Sequence, residues 1–516
     1  MASGESGRPK QFELDQGASL AIKLVKGQAE IFGAEIADGK AYVFGQECKA
    51  AVYTWQGCTI EMSPSSRPCP PPHRRLRHSA ARCLPAVFSQ HVFGQPAVEY
   101  VSDETPMAPY ANVHIALEQM RVRALDVANG TPAPPGEDND PTGRGIRDPP
   151  RVLVLGPESA GKTSVCKTLV NYCVRAGQGW APMYVNVDPS EGGWSIPGAI
   201  SAAPITAPLQ TSTPASPLGM SATSAPSHIA SNALTPLSYW YGHREMRRNP
   251  LLMERLIRNL GDNIRDRQEG DTKGRCSGLI VDTPSSFAAS SGPSNDHRLN
   301  MVKACVDAFQ INLILVVGHE KLNVEMQRTY GKRLVVLKIP KSGGVVEHDS
   351  AYRERIHQYQ LHNYFYGHII DPPPGLPTKA FVQGGEQTPD LTLHLSPLST
   401  SVNFGDVTMY RIGEETMAPQ SALPIGATRV VSEMQPLLVD PAKSGSGLYN
   451  AVLAVLSSPN ADESERYDEE VLDLQVVGYV VITALDLPNK RMTVLSPSPG
   501  SLTGKTAIVG SFEWQE

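Results

Sequence analysis

The chain has 516 residues, with 46 Lys and Arg against 52 Asp and Glu and a formal net charge of −6. That length implies two to four domains, three as a working number, at roughly 100–200 residues each, and the acidic balance excludes a protein that wraps nucleic acid through a globally basic surface. Eight scattered cysteines without a CxxC pair suit a reducing compartment, and no apolar run reaches a signal h-region or the ~18 residues of a membrane span, so a soluble intracellular protein is expected.

From residue 19 to 62 the chain alternates in short β-rich clusters (SLAIKLVKGQAEIFG, KAYVFG, KAAVYTW, CTIEM) punctuated by glycine, the pattern of a small antiparallel β domain. Tyr53 and Trp55, in the alternating KAAVYTW run, read as core residues. Residues 63–96, rich in proline and arginine, interrupt that domain as a solvated insertion. Cys69, His73, His78 and Cys83 within it fit no common zinc spacing, and Pro70–Pro72 stiffen the first interval, so no metal is assigned there. A true insertion and an intron carried into the coding sequence both remain open for this stretch.

Strand-like AVEYVS resumes at residue 97. A helix follows, with Val113, Ile115, Leu117, Met120, Val122 and Leu125 available to one side. Residues 129–150 combine Gly, Pro and acidic residues as a linker. From Arg151 the texture changes to near-continuous apolar strands (RVLVLG, PMYVNVD, SGLIVD, NLILVVG, RLVVLKI) separated by helical stretches, which predicts a parallel sheet covered on both faces. No charged residue occurs between Gly192 and Gly242, and about 200–236 reads as a low-complexity loop. After residue 372 strand signals return. The expected domains are thus 1–128, 151–372 and 373–516, an α/β architecture with a central P-loop unit flanked by a β-sandwich and a strand-rich α/β unit.

The segment Gly156-Pro-Glu-Ser-Ala-Gly161-Lys162-Thr163 sits between a buried strand and a helix, the context a phosphate cradle requires. Its glycines let successive N–H groups of Ser159, Ala160, Gly161 and the residues up to Ser164 face a phosphate, and the helix adds its positive end. Lys162 would bridge the β- and γ-phosphates, and Thr163 would ligate Mg²⁺. No guanine-reading Asn-Lys-x-Asp follows the sheet strands; Asn489-Lys490 lies far downstream in a turn, so ATP is the expected nucleotide.

The blocks GQAEIFGAEIA, KAAVYTWQGCTIEM, SDETPM, GPESAGKTS, NVDPSEGGWSIPGAIS, IVDTPSSF, LKIPKSGGVVE and NYFYG occur in this order. Together they resemble the cleavage and polyadenylation factor family related to polynucleotide 5′-hydroxyl kinases, over nearly the whole chain. The resemblance implies ATP held between the first two domains, with Lys49 as a nucleotide contact from the N-terminal domain. It also implies a glutamate near the adenine, but the strand that should carry it is shortened between FELD and ASLAIKL, so that residue is not placed. Fungal members look like non-catalytic, ATP-bound nuclear subunits of cleavage factor IA. They bridge to the scaffold subunit that reads the RNA polymerase II tail; RNA contact through the complex and direct contact both stay open.

Active members carry Asp-x-x-Gln after the second strand; here the run is Asp188-Pro-Ser-Glu191, keeping the carboxylate and losing the amide. Where they carry a Gly-Trp clasp for the RNA base, this chain has Asp282-Thr283-Pro284-Ser285-Ser286-Phe287. Of the paired lid arginines only Arg353 is kept, with His357 at the second position. Three departures in three elements predict a holder of ATP rather than a kinase. If active, the chain would use Asp188 as base with Lys162 and Arg353 on the phosphates, and an ATPase that remodels a complex is a more distant alternative. Thr163, Asp188 and Asp282 are the Mg²⁺ candidates, Asp282 being open to a second reading as a helix cap.

Overall fold

The computed structural model describes residues 2–4, 9–64, 98–101, 105–131, 148–211, 213–218, 236–288, 295–367, 381–382, 386–387, 397–412, 434–443, 446–457, 468–497 and 500–514. Cys69, His73, His78 and Cys83 lie outside them, as do most of the stretches read as insertion and linker. The six cysteines among the described residues are all buried free thiols.

The N-terminal unit is a β-sandwich. One sheet runs Ala2–Gly4, Cys58–Pro64, Leu20–Gly27, Ala41–Phe44; the other runs Ala34–Glu35, Glu30–Ile31, Lys49–Tyr53, Lys10–Glu13, Val98–Val101, with every pairing antiparallel. Inward-pointing Phe12, Leu20, Ile22, Leu24, Val52 and Ile60 form its core, as strand alternation requires. Tyr53 is buried, but Trp55 is 43% exposed because it lies beyond the strand, in the turn before Gly57.

The helix Met107–Ala128 leaves the sandwich and lays its buried side against the central unit. That side is Tyr110, Leu117, Arg121 and Ala124, whereas Ile115 and Val122, expected inside, are exposed. The correction has a physical cause. Arg121 is held at the buried side by the Ser277 carbonyl at 3.0 Å and by Glu118 at 3.1 Å, which rotates the helix relative to an apolar-only stripe.

The central seven-stranded sheet has the order Leu237–Trp240, Ala199–Pro204, Met183–Asn186, Leu279–Asp282, Arg151–Leu155, Leu313–Val317, Val335–Ile339. The last five are parallel, as the apolar runs predict, and the first two extend the sheet antiparallel. Those two strands correct the reading of about 200–236 as a low-complexity loop. Ile200, Ala202, Ala203 and Ile205 are fully buried and Leu209 and Leu218 nearly so, hence the interval lacks charge at this end because it is covered. Residues 219–235 lie outside the described ones.

The C-terminal sheet runs Leu398–Asn403, Arg491–Ser496, Val476–Asp486, Ala451–Leu456, Lys505–Glu513, Val407–Ile412, Pro436–Leu438. One core joins it to the central unit: Trp240 packs on Tyr479 and Phe512, with ring centroids 5.3 and 5.7 Å apart. Gly198 and Gly510 leave the space for those rings, which any Cβ there would fill.

Candidate functional site

Strand Arg151–Leu155 is the middle one of the five parallel strands, with one crossover to each side, so the loop after it opens at the switch point where ligands bind in such sheets. That loop, Gly156 to Gly161, leads into helix Lys162–Arg175. Gly161 takes φ +85° and Ser159 φ +50°, turning the loop's N–H groups inward. A Cβ on Gly161 would come within 3.0 Å of the Val345 side chain. Lys162 Nζ lies 3.2 Å from the Pro157 carbonyl, its stem curled over the loop.

A cavity of about 460 Å³ opens from this loop to the sandwich, lined by Ser159, Ala160, Gly161, Lys162, Thr163, Ser164, Asp188, Lys49 and Arg353. The nine site residues other than Asp282 are thereby brought to one place by two different units. Gln11, Glu30 and Phe32 of the sandwich and His348, Tyr352 and Gln360 of the segment around helix Ser350–Tyr366 line it as well.

Lys49 Nζ is 3.3 Å from Glu13 Oε2 and 4.8 Å from the Tyr352 ring centroid. Glu13, in the FELD run, stands directly opposite Lys49 in the antiparallel register. That pairing rests on strand register, which a sequence interval does not reveal.

Beyond the cradle, Thr163 Oγ1 donates to Glu191 Oε2 at 3.2 Å. Asp188 Oδ1 accepts from the Ser190 N–H at 2.9 Å and its hydroxyl at 2.6 Å. Asp282 is 2% exposed; its Oδ2 accepts from the Tyr184 hydroxyl at 3.1 Å, while the buried Oδ1 has no hydrogen-bond partner. Asp282 ends its strand and caps no helix; Pro284 holds the N-cap of the short turn that follows. Burial raises the Asp282 carboxyl, with Asp188 adding to the rise. Glu191 faces the space of the cavity but is ringed by protein; that enclosure, then the charges of Asp188 and Asp282, raise it too.

An orphaned buried carboxylate oxygen beside a cluster of oxygen-only donors fits a hard divalent cation such as Mg²⁺. Among the described residues no group of three or more His, Cys, Asp or Glu is spaced to hold a metal by itself. A Mg²⁺ here would therefore draw on phosphate oxygens as well, its usual habit in phosphate sites.

The two residues expected at lid positions, Arg353 and His357, both line the cavity and make contacts of their own. Arg353 pairs with Glu158 of the cradle loop and donates to the His348 carbonyl at 2.7 Å. His357 Nε2–H donates to the Ser190 carbonyl at 2.8 Å, and burial, with Arg244 nearby, holds its pKa down to about 4. The ring is thus uncharged at neutral pH. Arg355, which sequence reasoning did not single out, makes a two-pronged ion pair to Glu47 of the sandwich at 2.8 Å per contact. Phe287, at the clasp position, is 1% exposed in the core, and Arg298 donates to its carbonyl at 3.1 Å.

The hairpin Glu30–Glu35 seats the sandwich on the cradle helix. Tyr172 donates to Glu30 at 2.5 Å, Arg175 pairs with Glu30 at 2.6 Å, and Asn171 donates to the Phe32 carbonyl at 2.8 Å. Gln11 reaches the Gly344 carbonyl at 2.7 Å across the cavity.

Comparison with known proteins follows the same three units. The N-terminal beta-sandwich domain of polyadenylation factor matches residues 7–124, the mRNA cleavage and polyadenylation factor CLP1 P-loop matches 156–367, and the pre-mRNA cleavage complex II protein Clp1 matches 395–516. The chain is 61% identical over 506 residues to the mRNA cleavage and polyadenylation factor CLP1 of Laccaria bicolor, covering 98% of this chain and 96% of that one. It is 31% identical to the factor of the same name from Mycosarcoma maydis (98% and 96% covered) and 30% identical to the protein CLP1 homolog of Arabidopsis thaliana (96% and 90%). Two solved structures share the fold. One is a wild-type Clp1p–Pcf11p complex, with TM-score 0.71 at 22% identity, covering 100% of this chain and 98% of that one. The other, with TM-score 0.72 at 23% identity and the same coverage, describes an extended interface between Pcf11p and Clp1p and the basis of ATP loss in a glycine-to-arginine mutant.

Proposed function

This chain belongs to the CLP1 family of mRNA cleavage and polyadenylation factors, and from that premise we propose that it is an ATP-holding subunit of the nuclear pre-mRNA 3′-end cleavage machinery, without kinase turnover. The observation that carries the reading is the placement of one phosphate cradle under a second unit: Lys162 from the P-loop and Lys49 from the sandwich face the same cavity. A nucleotide there joins two units, and binding confined to the folded state stabilises it by about 4 kcal/mol at a thousandfold excess over Kd.

The residues' roles follow from their chemistry. Backbone N–H groups from Ser159 to Ser164 and the Lys162 ammonium hold the phosphates, while Lys49, steadied by its ion pair with Glu13, serves the sandwich end of the cavity. Thr163, Asp188 and Asp282 would hold Mg²⁺, which when bound neutralises phosphate charge. Support for the loss of kinase chemistry comes from what replaces its parts. A carboxylate, not an amide, stands at Glu191; a neutral imidazole occupies the place of a guanidinium at His357; and Phe287 is packed inward with no ring face for an RNA base.

The partner we infer is a Pcf11-type scaffold subunit of cleavage factor IA, in line with the Clp1p relatives studied in complex with Pcf11p. Offered γ-labelled ATP and a 5′-hydroxyl RNA oligonucleotide, the wild-type chain is expected to leave the RNA unlabelled, as Lys162→Ala does. Label transfer by wild type that Lys162→Ala abolishes would make this an RNA kinase, with Asp188 as its base.

A further inference from the structure

Lys167 is 4% exposed, yet it lines the nucleotide cavity. It lies one helical turn beyond Ser164, so both side chains lie on one face of the cradle helix. Its Nζ donates to Thr211 Oγ1 at 2.8 Å, and the Thr211 hydroxyl donates in turn to the Pro217 carbonyl at 3.0 Å. The ammonium also lies over the face of Phe32, 4.1 Å from the ring centroid. No carboxylate pairs with it among the described residues. A buried ammonium held by a hydroxyl and an aromatic face is an incompletely compensated charge. The reason to keep one on the wall of a ligand cavity is a negative charge on the ligand.

Position along the cavity says which charge. Lys162 and Thr163 serve the far phosphates and the cation, and Lys49 serves the sandwich end. Lys167 lies between them: it follows Lys162 and Thr163 by a turn of the cradle helix, and it lines the cavity with Cys48, the sandwich neighbour of Lys49. We propose that Lys167 is a further nucleotide-binding residue, contacting the α-phosphate from the second turn of the cradle helix. The proposal deepens the nucleotide-holding reading and rests on it.

Burial holds the Lys167 ammonium down to about 8, against the raising influence of Cys48, Glu191 and Asp282, the titratable groups that face it. Cys48 is itself raised to about 12 by burial and stays a thiol across neutral pH. The contact is therefore full at and below neutrality and fades as pH rises through the lysine's range, which an ordinary helix-surface lysine would not show.

The test strips the full chain of any nucleotide it carries, checks that it stays folded, loads it with a fluorescent ATP analogue and displaces that with AMP or adenosine at pH 7 and pH 9.5, for wild type, Lys167→Met and Lys167→Arg. AMP carries the α-phosphate and is already a dianion over this range, its second pKa being about 6. In wild type the advantage of AMP over adenosine should fall several-fold from pH 7 to 9.5. Lys167→Met should lose about tenfold of that advantage at pH 7, the size of a charge-assisted contact. Lys167→Arg, always charged, should keep its advantage at both pH values, and titration of Glu191 and Asp282 is common to it and wild type. An unchanged AMP-to-adenosine ratio in Lys167→Met, or an arginine variant that tracks wild type in pH, overturns the proposal. Should the methionine variant fail to fold, the arginine profile decides alone. A wild-type chain that loads no analogue overturns instead the nucleotide reading beneath it.

Discussion

Single residues decide whether this cavity holds a nucleotide or turns it over. Gly161 combines φ +85° with a side chain 3.0 Å from where its Cβ would be, so Gly161→Ala distorts the cradle at its tightest turn. Equilibrium dialysis should show nucleotide retention reduced at least tenfold in that variant, with the fold kept by circular dichroism. His357 offers a test by pH. Its folded pKa lies near 4, below the ordinary ~6.5, so its contribution is fully present above pH ~6.5 and is lost as pH falls toward 4. Between pH 7 and pH 5 the wild-type chain should lose about 1–2 kcal/mol more than His357→Gln, whose amide still reaches the Ser190 carbonyl. Urea denaturation at the two pH values measures the difference, and equal losses would refute the uncharged imidazole. The cradle was legible in the sequence because Gly, Lys and Thr at fixed spacing are a local chemical pattern. Glu13 was not, because its partnership with Lys49 depends on how two strands register, and the exposure of Trp55 was missed because alternation does not show where a strand stops.

At the scale of elements, the hairpin Glu30–Glu35 and the cradle helix form the joint between sandwich and P-loop unit. Glu30 is 3% exposed and accepts from both Tyr172 and Arg175, so Glu30→Ala takes the carboxylate from the Tyr172 phenol and leaves Arg175 with the Gly33 carbonyl and Glu35 alone. Because Arg175 keeps some access to water, the cost is set at about 2 kcal/mol rather than the 3–5 of a fully buried pair. The nucleotide should also dissociate faster from that variant in a stopped-flow chase, since one wall of its cavity is loosened. Normal retention in Glu30→Ala would show that the joint does not hold the cavity shut. Elements were legible where burial was two-sided: all five parallel strands were read from their apolar runs. The interval from Gly192 to Gly242 misled for a related reason. Freedom from charge looks alike in a low-complexity loop and in small, covered strands such as Ala199–Pro204, and only the neighbouring strand Met183–Asn186 tells them apart.

Across the whole molecule, the C-terminal sheet is fused to the central unit through Trp240, Tyr479 and Phe512, while the sandwich meets the central unit around the nucleotide cavity. The first junction is built on a closed apolar core edged by polar pairs such as Arg255–Asp473; the other wraps a polar site. Gly198→Ala, with φ +100° and a Phe512 ring where the Cβ would go, should cost about 1–3 kcal/mol through the first junction and leave nucleotide binding intact. Thermal unfolding with and without nucleotide would check both halves of that statement. The three-unit architecture was legible from composition shifts, but the unequal character of its junctions was not, since each joins residues hundreds of positions apart. The measurement that bears most directly on the account is the identity of the nucleotide in the full chain purified without any added. Denaturation and chromatography should release close to one intact ATP per chain, unchanged after a day at room temperature. Release of ADP, or of no nucleotide from a folded chain, would contradict the claim that ATP is a lasting part of this fold.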